Sequence, residues 1–190
     1  RNLIPLNTIP IDEFDLIHKS KQDPAHSVLM ALRPTIINRY DQYKIEFDNN
    51  TLQNLKSTVY SPQAKDYLRK CYSNSTIALD KLIARIKDNQ PNQLRSVCQL
   101  CGIDTDNTTD HYLPQSNFPE FSVNHLNLFP CCAVCNPFKN DYWISQDPNY
   151  RGIINLYTDI LPTKQFLFAD VRFFRANVII KFRIANPNGI

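Results

Sequence analysis

Apolar positions over roughly the first ninety residues recur at the spacing of helix faces. Asp23-Pro24 reads as an N-cap followed by proline at the first helical position, and Val28, Leu29 and Leu32 follow at helical spacing. A second stripe runs through Ile36, Ile37, Tyr40, Tyr43 and Phe47 until Asn49-Asn50 breaks it. Ser61-Pro62 opens another helix, with Ala64, Leu68, Cys71 and Tyr72 on one face. Ile77, Leu79, Leu82, Ile83 and Ile86 mark one more, ending near Asp88-Asn89-Gln90-Pro91. These stripes predict core. Cys71 is expected to be a buried free thiol, and His18 and His26 to be structural.

The pattern changes at Pro91. From Gln93 to about Tyr142 the chain is rich in Cys, Asn, Asp and Pro. Two runs of alternating residues then predict strands, Phe166 to Phe173 and Val178 to Ile184, with Arg175-Ala176-Asn177 as the turn. The expectation is an α+β chain: a helical N-terminal region (1–91), a compact centre (92–145) and a β-rich C-terminal extension (146–190). No internal repeat or low-complexity segment occurs.

Composition removes several function classes. The chain has 190 residues, 43% of them hydrophobic, so it can build a core. Three glycines against thirteen prolines leave no phosphate-binding glycine loop, so P-loop and Rossmann readings fail. The sequence has no apolar run of membrane-spanning length and opens on no signal-peptide pattern. A net charge of +3 is compatible with nucleic acid but does not argue for it.

The six cysteines are more informative. Five of them cluster as Cys98-Gln-Leu-Cys101 and Cys131-Cys132-Ala-Val-Cys135, about thirty residues apart. Two C-x-x-C pairs facing each other predict a tetrahedral zinc site more readily than disulfides. The expected ligands are Cys98, Cys101, Cys132 and Cys135. Cys131 is a neighbouring alternative to Cys132, with a less usual spacing to Cys135. Four thiolates fill the coordination sphere, so the zinc would be structural. It also implies a reducing, cytoplasmic location.

Between and around these pairs stand Asp110-His111-Tyr-Leu-Pro114, Asn127-Leu128 and Cys132-Ala-Val-Cys135-Asn136-Pro-Phe-Lys139. The set resembles the HNH endonuclease superfamily, whose pattern is D-H-x-x-P, then N-L, then C-x-x-C-N-x-x-K after an earlier C-x-x-C. The likeness covers about Cys98 to Asp141, roughly a quarter of the chain. Many members have His where this chain has Asn136, so the chain resembles the H-N-N variant.

The resemblance implies a ββα-metal fold and hydrolysis of DNA phosphodiesters, with RNA as a further possibility. His111 would be the general base, since a neutral imidazole can take a proton from water. Asp110 and Asn136 would hold a catalytic Mg²⁺ or Mn²⁺ through hard oxygen ligands. Asn127 would fasten the loop between the strands and help to orient His111. Lys139 would meet phosphate as a point charge. His125 fits no position of the pattern.

The helical region is then expected to dock substrate or a protein partner, and an effector of bacterial or phage defence is the expected setting. The competing reading is a noncatalytic, zinc-stabilised module that binds nucleic acid or protein.

Overall fold

The computed structural model describes residues 2–160, 164–175 and 177–185. They form two compact units, Asn2–Asp159 and the segment from Ile160 onward. The fold is α+β, with a four-cysteine cluster and a C-terminal strand pair.

The larger unit begins with four helices: α1 (Pro10–Lys19), α2 (Ala25–Asp48), α3 (Pro62–Ser73) and α4 (Ile77–Asp88). Their ends follow local chemistry. Ser61 caps α3 by accepting from Ala64 N at 3.2 Å, and Pro62 takes the first helical position. Thr76 caps α4 by accepting from Leu79 N at 3.2 Å, and Arg85 and Lys87 sit in its last turn, where the helix dipole favours cations.

Helix α2 joins the two apolar stripes into 24 residues and carries Pro34 in its interior. Pro34 lies on the exposed side, while Leu29, Ile36, Tyr40, Tyr43 and Phe47 form the buried row. That burial holds the helix together across a residue that disfavours it. The helix also starts one residue later than expected: Asp23 Oδ1 instead accepts from Ser27 N at 3.0 Å. Ile77, counted above in the α4 stripe, is 75% exposed because it is the first residue of the helix.

Strands β1 (Thr108–His111) and β2 (Leu128–Cys131) pair antiparallel, with Asp110 opposite Phe129 and His111 opposite Leu128. The five-residue helix α5 (Cys135–Lys139) follows β2. Helices and strands share one core. Ile36, Tyr43, Leu68 and Leu82 belong to the same buried cluster as Leu113, Phe121 and Leu128. The helical region and the centre lie in one compact unit, which extends to Asp159. Tyr157 OH, for example, donates to Leu128 O at 2.7 Å.

One buried ion pair ties α2 to the loop between β1 and β2. Arg39 Nε donates to Glu120 Oε1 at 2.8 Å, and its other nitrogens reach Gln42 Oε1 and Lys56 O at 2.6 and 2.8 Å. The guanidinium also lies 5.2 Å from the centre of the Phe121 ring.

The second unit contains β3 (Leu167–Phe174) and β4 (Asn177–Ile184), paired antiparallel. Arg175 has a positive φ of 53° at the turn, as that chain reversal requires; Ala176, placed in the same turn above, lies outside the described residues. The register puts Leu167, Ala169, Val171, Phe173, Val178, Ile180, Phe182 and Ile184 on one face. The opposite face mixes polar and apolar groups, and there Arg183 lies 3.6 Å from Asp170 and 4.4 Å over the Phe168 ring. No helix among the described residues is long and apolar enough to cross a membrane.

Burial raises the Glu120 carboxyl above its ordinary value, and Arg39 opposes that rise. Arg39→Met leaves a buried carboxylate without its cation and is expected to destabilise the fold by about 3 to 5 kcal/mol near neutral pH. A raised folded-state pKa means stability is fully present below the unfolded value of 4.5 and is lost as pH rises. The penalty of Arg39→Met should therefore shrink on acidification toward that value, as urea melts across a pH series would measure. A pH-independent loss would assign the effect to packing instead.

Candidate active site and metal centre

The two cysteine pairs are built by backbone hydrogen bonds. Cys98 N donates to Asp104 O at 2.7 Å, and Gly102 N donates to Cys98 O at 2.8 Å. Gly102 has φ +68° with open space around it, so glycine serves the backbone conformation there, not a close approach. In the second pair, Cys135 N donates to Cys132 Sγ at 3.3 Å and Asn136 N to Cys132 O at 3.1 Å.

These turns bring the sulfurs of Cys98, Cys101, Cys132 and Cys135 within 4.8 Å of one another. All four are free thiols. A tetrahedral zinc with bonds of about 2.3 Å asks for sulfur separations of about 3.8 Å. The cluster could therefore hold one zinc ion after small closure. Backbone N–H groups of Asp104 and Ile103 hold the Cys101 thiol down to about 7, whereas burial and the neighbouring thiols push that of Cys135 up.

Cys131 stands outside the cluster. Its sulfur is buried 3.3 Å from Thr108 Oγ1, and burial pushes its thiol up to about 11. Cys71 is buried in the helical core, where its thiol is pushed up to about 12.

Asp110 and His111 end β1. Asp110 Oδ1 accepts from His111 N at 2.7 Å, while Oδ2 is buried without a hydrogen bond, 3.4 Å from Lys139 Nζ. Burial raises the Asp110 pKa, and the Lys139 charge opposes the rise.

The His111 ring meets Tyr72 of α3 edge-on, 4.5 Å between ring centres. Its Nε2 lies 2.9 Å from Ser122 O. A carbonyl only accepts, so that contact puts the hydrogen on Nε2 and leaves the lone pair on Nδ1. Gln115 approaches the same Nε2 at 2.8 Å, and half a turn of its amide presents oxygen to that N–H. Burial pulls the His111 pKa down to about 4, so the ring is neutral near pH 7.

Asn127 is wholly buried behind these residues. Its Oδ1 accepts from Leu113 N at 2.8 Å, and its Nδ2 donates to Leu113 O at 3.1 Å and Phe121 O at 3.3 Å. It thus clamps the loop that follows His111 to the loop that precedes β2. Tyr43 of α2 completes the clamp, with its hydroxyl donating to Leu126 O at 3.1 Å.

Asn136 follows Cys135 on α5. Its Nδ2 donates to Thr108 Oγ1 and Thr109 O at 3.3 and 3.4 Å, and its Oδ1 has no hydrogen bond among the described residues. Lys139 closes the same helix, but its side chain turns inward. Its Nζ donates to His111 O at 2.6 Å, and the residue is buried. Lys139, expected to meet phosphate as a point charge, here directs its ammonium to His111 O and lies 3.4 Å from Asp110 Oδ2.

Asp110, His111 and Asn136 line one open cleft of about 310 Å³, together with Arg69, Gln115 and Asp141. No motif or spacing in the sequence singles out Arg69, Gln115 or Asp141. Gln115 sits one turn of chain past His111, a weak signal. Arg69 arrives from α3 by tertiary packing, which no local spacing announces. His125 is elsewhere, with Nε2 3.1 Å from Thr8 O. His18 and His26 lie with ring centres 5.3 Å apart and planes tilted by 30° in the helical region.

No family model matches the chain. Protein Ea31 of Escherichia phage lambda is 27% identical over 147 residues, which cover 72% of this chain and 50% of that protein. The chain thus matches about half the length of this curated relative. No solved structure matches.

Elemental analysis of purified protein is expected to find about one zinc per chain. Cys98→Ser or Cys132→Ser should lose that zinc and lower the melting temperature, whereas Cys131→Ser should keep it. Full zinc retention in Cys132→Ser would reject the assigned ligand set.

Proposed function

We propose that this chain is a metal-dependent endonuclease of the HNH type that hydrolyses DNA phosphodiester bonds in the cleft between β1, α5 and α3. The observation that carries the reading is the convergence of Asp110, His111 and Asn136 on one cleft, beside four clustered cysteines. A structural scaffold has no need of a carboxylate, a neutral imidazole and a free amide oxygen at one opening.

The residues fit a divalent cation. Asp110 Oδ2 is buried without a hydrogen bond, and Asn136 Oδ1 is unpartnered among the described residues. These two hard oxygens would hold Mg²⁺ or Mn²⁺, with water and phosphate completing the shell. Such a cation, when bound, supplies Lewis acidity to the phosphate and the leaving oxygen.

The chain's own groups do the rest. Ser122 O fixes the tautomer of His111, so Nδ1 is the nitrogen that accepts a proton from the attacking water. The Tyr72 ring and the Asn127 clamp restrict where the imidazole can lie. Lys139 balances the Asp110 carboxylate and grips the backbone at His111. The similarity to a phage lambda protein supports a phage-related setting.

Plasmid incubated with the protein and Mg²⁺ or Mn²⁺ is expected to give nicked or linear product, and EDTA should stop the reaction. His111→Ala should lower the rate by at least about 10²-fold with zinc content and helix signal unchanged. Undiminished cleavage by that variant would remove His111 as the base. Inactivity on DNA and RNA with several metals would leave the noncatalytic zinc-stabilised module as the better reading.

A further inference from the structure

We infer that Arg69 of α3 forms a phosphate-binding subsite that grips the DNA backbone at the mouth of the cleft. The inference deepens the nuclease reading, since it takes the cleft's ligand to be DNA.

A site that works on an anionic backbone needs a cation free to meet it. Lys139 is not free: its ammonium is buried against His111 O and Asp110. Asp141 on the rim adds a carboxylate that would repel phosphate. Arg69 is the arginine that lines this cleft, and it is exposed. It makes no ion pair or hydrogen bond among the described residues. Asp66, the acid one turn before it on the helix, is already paired with Lys70 at 2.7 Å.

The backbone that carries Arg69 is held firmly against the site. Leu68 and Cys71 on either side are buried in the core. Tyr72, one turn further on, donates through its hydroxyl to Thr109 O at 2.8 Å and packs its ring on His111. Residues three apart on a helix share a side, so Arg69 and Tyr72 face the same strand. A guanidinium suits this place better than an ammonium, because its planar fork can take two phosphate oxygens at once. Gln115, Ser116 and Asn140 add neutral polar groups along the same wall. The helical region would thus supply substrate contact directly to the reaction cleft.

The test measures binding without turnover. A short labelled DNA duplex is titrated with wild-type protein and with Arg69→Ala in the absence of added divalent cation, by fluorescence anisotropy over a series of salt concentrations. Arg69→Ala should weaken binding about tenfold at low salt and reduce the slope of log affinity against log salt by about one. Arg69→Lys should recover part of the affinity. Lys44→Ala removes a charge from an exposed helical pair away from the cleft and should bind like wild type. Unchanged zinc content in Arg69→Ala excludes misfolding as the cause. Equal affinity and equal slope for wild type and Arg69→Ala, or no duplex binding by either, overturns the subsite. Weakened binding by Arg69→Ala with no cleavage by wild type keeps the subsite and sinks the nuclease reading. Cleavage by wild type with no effect of Arg69→Ala does the reverse.

Discussion

The fully buried amide of Asn127 is the interaction on which the candidate site depends. An amide without water must direct both ends to protein partners or lose stability. Here the oxygen and nitrogen take Leu113 on one side and Phe121 on the other. The loop leaving β1 is thereby locked to the loop entering β2. His111 lies just before the first of these contacts, and Ser122, which receives its ring hydrogen, lies just after the second. Position and tautomer of the imidazole are consequences of one satisfied side chain.

The other half of the site depends on sulfur. A helix of five residues has too few hydrogen bonds to stand alone. Helix α5 is held at its start by Cys132 and Cys135, two members of the thiol cluster, and at its end by Lys139 on His111 O. Asn136 is the next residue after a cluster cysteine, so its amide oxygen inherits the geometry of the sulfurs. A metal bound at the cluster would therefore be linked to the placement of the Asn136 oxygen through one peptide bond.

Much of this was legible before any coordinates. Ser61-Pro62 marked the start of α3, and an apolar stripe with Pro91 beyond it marked α4, because those signals act within a few turns of the chain. The thiol cluster could be read from two tight spacings, and the choice of Cys132 over Cys131 followed from the same arithmetic. What escaped was set by packing over long distances in sequence. Pro34 reads as an interruption, yet the buried row on the other side of α2 carries the helix through it. Lys139 reads as a phosphate contact, yet the end of α5 aims its ammonium at β1. Arg69 is indistinguishable in sequence from its neighbour Lys70; only the docking of Tyr72 on His111 separates their surroundings. The limit of the larger unit at Asp159 was also hidden, since irregular chain after α5 packs by contacts such as Tyr157 on Leu128 that have no periodic signature.

The core shared by helices and strands has an architectural consequence. Arg39 and Tyr43 of α2 grip the loop between β1 and β2, and Leu68 and Leu82 of α3 and α4 belong to the same buried cluster as Leu113 and Leu128. The segment that carries the two cysteine pairs is therefore not a portable cassette. Excised, it would present Leu113, Phe121 and Leu128 to water and strand Glu120 without its counter-ion. Moving this segment into another protein would mean transplanting the helices as well.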